Sequence, residues 1–318
     1  LYPYYKKDKE EGNLTEQQAL ELLECFYIKN FEMNHLFDLE CATYFSGYSI
    51  TENLMLGGQT EDGENAVNEL SYLCLEAESR MKLTQPAISV KVNRSTPRDF
   101  LLKACEVVRM GGGKPSFFNE EVAISQLLSD GVSLKDARNW AIVGCVEATS
   151  IGNTYGWTNA AMFNLGKCLE LALNQGKCRL SGKQLGPATK DPKSFTSFEE
   201  VMEAFKTQVA YFVKHMVISL NAIDIAHGEL CPLPFLSSVM NDAIEKGKDI
   251  SQGGARYNFT GPQAVGIADV ADSLATIKKL VFEDKEIDMS ELIEALDCNF
   301  EGKEELRHIL INLSLIHI

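Results

Sequence analysis

The six residues Ala87–Val92, AISVKV, constrain the fold more than any other stretch of this chain. They are β-branched and alternate, which marks a strand. Helix signals lie on both sides. Upstream, Thr15-Glu-Gln-Gln18 forms a capping box, and Ala19, Leu20, Leu22, Leu23 and Phe26 follow at helical spacing. Downstream, Thr96-Pro97 offers an N-cap and a first-turn proline for a helix that should reach Met110 and stop at Gly111. Further helices are predicted over residues 164–173, from Ser197 through Phe205, Val209, Phe212, Val213 and Met216, and from a cap at Ser290. Residues 54–56, 116–118 and 139–145 are further strand candidates. Strands separated by helices predict an α/β sheet or barrel. Chemistry in such folds gathers at the carboxyl ends of strands, and Cys145 sits at one.

Cys145 belongs to the stretch GCVEATS and is separated from Glu147 by one residue. In an extended segment the two side chains would point to the same side. A thiol there suits a nucleophile or radical carrier, and a carboxyl a general acid or base. The spacing alone is weak and favours an ordinary strand end over an active site. No histidine is nearby, so a Cys–His hydrolase is unsupported. Residues 152–164 are rich in Gly, Asn, Thr and aromatics and read as a loop running into a helix. Gly152 and Gly156 permit unusual backbone angles there. Tyr155, Trp157 and Phe163 would wall a pocket, with Thr158 and Asn159 as polar contacts; an aromatic plug in a plain loop is the alternative. Residues 251–263, around Arg256, read as a second functional loop. GGGKPS, at 111–116, is not a phosphate loop: Val108 stands where the first glycine is required and Pro115 replaces Ser or Thr.

Composition removes several classes. A net charge of −15 argues against a nucleic-acid backbone binder, which needs a basic face. No continuous apolar run approaches the ~20 residues of a membrane span. The start, LYPYYKKDKEEG, is neither a signal nor a transit peptide, and without an initiator Met it suggests a cut chain. The nine cysteines form no CxxC pair, so structural zinc and thioredoxin chemistry lose their usual signature and no metal is expected. Apart from Cys145, most of the cysteines are expected to be small buried hydrophobes in a reducing cytoplasm.

The stretch NWAIVGCVEATSIGNTYGWTNAAMFNLGKCLELALNQG resembles the thiyl-cysteine loop of the glycyl radical enzymes, the pyruvate formate-lyase superfamily. LMLGGQTEDGENAVNELSYLCLEA, LTQPAISVKVN, KPSFFNEEVA and the long stretch from PLPFLSSVMNDAIEKG through SQGGARYNFTGPQAVGIADVADSL resemble the same family, in order, so that residues 1–312 are covered. The resemblance implies part of a ten-stranded α/β barrel with the cysteine loop at its centre. It implies that Cys145 carries a thiyl radical. It also implies a glycyl radical on a C-terminal glycine, installed by a separate activating enzyme that uses S-adenosylmethionine and an iron–sulfur cluster. A small-molecule substrate, a cytoplasmic location and a homodimer are implied for the full-length enzyme.

Glu147 refines the subtype. Members with the GCVE pattern use this glutamate for proton transfer in eliminations of the diol-dehydratase kind. The formate-acetyltransferase branch places two cysteines side by side, whereas Gly144 and Val146 flank Cys145 here. The resemblance therefore implies a radical lyase cleaving C–O, C–N or C–S bonds, or a decarboxylase. Acyl transfer and a catalytically silent barrel or partner subunit are the alternatives. Glycerol-dehydratase-like members resemble this stretch but carry His-Asp where this chain has Thr158-Asn159, and that aspartate contacts a substrate hydroxyl. Asparagine keeps hydrogen bonding but carries no charge, which argues against glycerol and propane-1,2-diol. The family's Arg-Val-x-Gly radical motif does not occur in the sequence, so the chain is expected to be an internal piece of a longer enzyme, inactive alone. The last six residues, LSLIHI, match the translated end of a common sequencing adapter, and residues 313–318 are expected to be a non-native tail.

Overall fold

The computed structural model describes residues 1–33, 38–44 and 52–313. Residues 314–318 of the expected tail, and the side chain of Cys41, lie outside the described residues. The chain divides into two compact units, Leu1–Thr158 with Leu233–Phe259, and Asn159–Pro232 with Thr260–Ile318.

In the first unit, α1 (Tyr2–Glu10), α2 (Glu16–Glu32) and α3 (Leu39–Tyr44) precede β1 (Asn53–Gly57). The Thr15 capping box forms in full, with both reciprocal bonds to Gln18. Then follow α4 (Glu69–Met81), β2 (Ala87–Val92), α5 (Arg98–Val107) and β3 (Ser116–Asn119). The three strands form a parallel sheet in the order β1-β2-β3, with Leu56 opposite Val90 and Val90 opposite Phe117. Pro97, not Thr96, takes the N-cap of α5, because the Thr96 hydroxyl is engaged by the Asn93 amide at 2.9 Å. A wide π turn at Val108–Gly112 ends that helix, with Gly111 at φ +91.

The structure buries both faces of β2. Leu56, Ile88 and Val90 join Tyr27 of α2, Leu73 and Leu75 of α4 and Phe100 and Ala104 of α5 in one core. On the other side, Met55 and Phe118 pack on a second core. That core is built from α6 (Glu120–Ser129), α7 (Leu134–Arg138) and β4 (Trp140–Val143), with Trp140 fully buried. Parallel strands covered on both faces bury every position, which is why Ser89 and Lys91 are enclosed as well. Lys114, the lysine of GGGKPS, is buried against Glu78 at 3.1 Å and donates to the Leu83 and Pro86 carbonyls at 2.7 and 2.9 Å. Its donors are used internally, in keeping with the rejected phosphate loop.

After β4 come β5 (Glu147–Ser150) and β6 (Thr154–Asn164). The stretch predicted as a Gly- and Asn-rich loop is thus an eleven-residue strand. Thr154, Tyr155, Trp157, Thr158 and Phe163 suit a pleated surface, and they outweigh Gly156 and Asn159. The second unit holds α8 (Leu165–Ala172) and α9 (Phe198–Leu230). Asn164 caps α8 by accepting the Lys167 amide at 2.8 Å. The chain returns to the first unit for α10 (Pro234–Ser238) and α11 (Ala243–Lys246). It then forms β7 (Tyr257–Val265), which pairs with β6, followed by α12 (Ile267–Ile277), α13 (Met289–Asp297) and α14 (Glu304–Asn312). Asp288, not Ser290, caps α13, accepting the Glu291 amide at 2.8 Å. Leu169, Val201, Ala204, Val270, Ile277, Leu292 and Ile293 form the core of the second unit. By length and composition α9 is apolar enough to cross a membrane, although Lys214, Asp224 and two histidines interrupt any continuous apolar run in it.

The described residues carry seven strands in three sheets, β1-β2-β3, β4-β5 and β6-β7. The expectation that most of the cysteines other than Cys145 are buried is corrected. Cys74, Cys168 and Cys178 are buried, but Cys25, Cys105, Cys231 and Cys298 are exposed. Cys25 and Cys105 fall between the buried positions of α2 and α5, so helical spacing turns them outward.

Candidate active site

Cys145 lies at the tip of a tight hairpin. β4 and β5 pair antiparallel, with Trp140 opposite Ser150, Ile142 opposite Ala148 and Val143 opposite Glu147. Gly144, Cys145 and Val146 make the turn. The strand therefore ends at Val143, and Cys145 and Glu147 are brought together by chain reversal rather than by extended alternation. The Glu147 carboxylate folds back over the turn, where its Oε2 accepts the amides of Cys145 at 2.9 Å and Val146 at 2.8 Å. Glycine is required beside it. Gly144 has φ +66, and a Cβ there would stand 3.1 Å from Glu147 Oε2. The result is an exposed cysteine and a half-buried carboxylate held against the same turn.

Buried polar groups brace the base of the hairpin. At its start, Trp140 donates its indole N–H to Glu120 at 3.3 Å. At its end, the Ser150 hydroxyl donates to the Asp136 carbonyl at 2.9 Å and accepts from Asn153 at 3.0 Å. The Asp136 carboxylate accepts from the Tyr257 hydroxyl at 2.8 Å and from Arg256 at 3.4 Å, and Arg256 also pairs with Asp242 at 2.8 Å. Burial opposes the charge of Asp136, but hydrogen bonds from Tyr257, Ser133 and Arg256 outweigh it and hold the carboxyl below its usual range. Asp242 chiefly, then Asp136, raise the Arg256 guanidinium. Arg256, predicted within a functional loop, thus braces the hairpin, and part of that loop is strand β7.

Thr158 and Asn159 are adjacent on β6, so their side chains leave opposite faces of the strand. The Thr158 methyl lies with those of Thr154 and Thr149 around Gly156, where a Cβ would meet it at 3.0 Å. Asn159 is exposed. Tyr155 is half-buried and packs on the small core of Ala243, Ile250 and Ala255. Trp140, Glu120 and Asp136 were not anticipated as supports. Trp140 ahead of GCVE was the available signal, since a buried indole N–H needs an acceptor. Among the described residues no group of three or more His, Cys, Asp or Glu side chains could hold a metal ion.

An exposed thiol turn seated on an α/β scaffold narrows the class, and comparison with known proteins completes it. Residues 1–314 match the family described as Pyruvate formate lyase-like. The chain is 38% identical over 317 residues to (2S)-3-sulfopropanediol dehydratase of Klebsiella oxytoca, covering 99% of this chain and 38% of the relative. It is 39% identical to trans-4-hydroxy-L-proline dehydratase of Clostridioides difficile, covering 98% of this chain and 40% of the relative. The fold matches the glycerol-bound B12-independent glycerol dehydratase of Clostridium butyricum with a TM-score of 0.92 and 45% identity, over 97% of this chain and 38% of that one. The chain belongs to the pyruvate formate lyase-like family of glycyl radical enzymes, and its relatives include dehydratases and lyases. It spans about two fifths of the length of these relatives.

Proposed function

We propose that this chain is part of a glycyl radical eliminase in which Cys145 relays a hydrogen atom and Glu147 a proton. The observation that carries the reading is the Gly144–Val146 turn, where an exposed cysteine and a folded-back carboxylate share one backbone site. That arrangement fits the group the family implies, because the thiol is accessible and Gly144 adds no side chain beside it. The radical glycine, carried outside this chain and installed by an S-adenosylmethionine-dependent iron–sulfur activating enzyme, supplies the one-electron oxidising equivalent. Cys145 gives up its thiol hydrogen atom, takes a hydrogen atom from a substrate carbon, and returns it after the bond is cleaved. Glu147 moves the accompanying proton at the substrate heteroatom. The reaction is C–O, C–N or C–S elimination, or decarboxylation, of a small molecule, with Thr158 and Asn159 as polar contacts. Acyl transfer would need a second thiol where Gly144 and Val146 stand.

In this reading residues 1–312 are arcs of a ten-stranded barrel that the rest of a cytoplasmic, homodimeric enzyme completes, and residues 313–318 are a non-native tail. The apolar face of α9 then belongs to the barrel wall. Its first half already packs in a protein core through Val201 and Ala204, and charged and imidazole side chains punctuate the remainder. The test is Cys145→Ser in the full-length, activated enzyme. A serine hydroxyl cannot relay the hydrogen atom, so the glycyl radical signal should persist in electron paramagnetic resonance while turnover is lost. Retained turnover overturns the reading.

A further inference from the structure

A buried charged cluster lies at the root of the hairpin and has no role in the chemistry above. Glu120 opens α6 and is fully buried. Its carboxylate gathers donors from three other parts of the unit. These are the Gln59 amide just past β1 at 3.1 Å, the Asn93 side-chain amide just past β2, and the indole N–H of Trp140, the first residue of β4, at 3.3 Å. Lys91, near the end of β2, is also buried, and its ammonium lies 5.0 Å from the centre of the Trp140 ring. Gly58 is demanded by the same cluster. Its φ is +84, and a Cβ there would stand 2.5 Å from Lys91 Cδ and 2.6 Å from Glu120 Oε1.

A buried charged cluster adds little net stability compared with well-packed apolar groups. Its distinct physical effect is directional, because charge-assisted hydrogen bonds fix where their partners sit. Here the partners are the ends of two parallel strands and the first residue of the strand that leads to Cys145.

We propose that Glu120 is a positioning residue for the thiol: through the Trp140 indole it sets the register of β4, and hence the place of the Gly144–Val146 tip, against the ends of β1 and β2. The proposal rests on the reading of Cys145 as the hydrogen-atom carrier. Atom transfer needs the reacting atoms in near-attack geometry, and a misplacement of about 1 Å can cost on the order of 100-fold in rate.

The test uses the full-length activated enzyme and four variants: Trp140→Phe, Glu120→Met, their double, and Cys145→Ser. Trp140→Phe keeps an aromatic face for Lys91 and removes the N–H. Each of the first two should lower turnover per glycyl radical by on the order of 10- to 100-fold. KM and the radical signal should stay nearly unchanged. The double variant should be no slower than Glu120→Met alone, because methionine offers the indole no oxygen acceptor and one bond is being removed twice. Normal turnover per radical in both single variants, even with a lowered melting temperature, would make the cluster purely structural and overturn the proposal. Fully multiplicative losses in the double would do the same. If Glu120→Met does not fold, Trp140→Phe decides alone. Turnover in Cys145→Ser would instead overturn the reading of the thiol.

Discussion

Glu147 holds the backbone of Cys145 as well as neighbouring it: one carboxylate oxygen accepts the Cys145 amide at 2.9 Å and the Val146 amide at 2.8 Å. The residue proposed to move the proton is therefore also the residue that shapes the turn bearing the thiol. Two roles on one side chain can be separated by choosing what replaces it.

Glu147→Gln retains a side-chain oxygen that can accept the two amides but loses the carboxylate. The turn should survive, and the glycyl radical should form in the full-length enzyme. Turnover should fall ~100- to 10,000-fold, the usual contribution of a positioned acid–base group. Glu147→Ala should lose the turn bonds as well. Single-turnover kinetics on both variants, normalised to radical content, is the measurement. An unchanged rate in Glu147→Gln across the working pH range would leave Glu147 with the turn alone.

Gly144→Ala places a side chain at φ +66 and 3.1 Å from the Glu147 carboxylate. The left-handed conformation alone costs roughly 1–2 kcal/mol for a residue with a Cβ. Stability by urea unfolding should drop by about that amount, and turnover should drop further because the carboxylate must shift. A variant as active as the parent would show that the turn tolerates displacement of Glu147.

Asp136 gathers Tyr257, Ser133 and Arg256, and its carboxyl is held below the usual range. A depressed carboxylate contributes stability that is present above its unfolded value and lost as pH falls through its folded value. Asp136→Asn should therefore destabilise by about 1.5–3 kcal/mol at neutral pH, as for a hydrogen-bonded charge. The gap from wild type should shrink below pH ~3.9. Unfolding midpoints for the two proteins at pH 7 and in mild acid test both statements.

Lys91 behaves oppositely. Burial pushes its ammonium down to about 8, with Glu120 opposing the shift. Between that value and ~10.4 the unfolded chain binds more protons than the folded one, so stability rises with pH across this window. Other groups titrate there too, so the diagnostic quantity is the pH slope of wild type minus that of Lys91→Met. A positive difference between pH 8 and 10 is expected; a zero difference would mean that Lys91 titrates as an exposed lysine does.

Much of this molecule was legible along the chain. The Thr15 capping box, the strand at Ala87–Val92, the helix that Asn164 caps and the stop near Gly111 depend on contacts within a few residues, and they form as read. The pairing of Cys145 with Glu147 was also local enough to see. Its geometry was not, because alternation cannot show that the chain reverses over Gly144–Val146. The same limit appears at β6, whose strand state comes from pairing with β7, about a hundred residues distant in the chain. Local composition determined where several of the helices start and stop. Burial on both faces of β2, the enclosure of Lys91 with Glu120, and the bracing of the hairpin by Asp136, Tyr257 and Arg256 were decided only by tertiary structure. Desolvation and long-range hydrogen bonds depend on neighbours that the order of residues does not name.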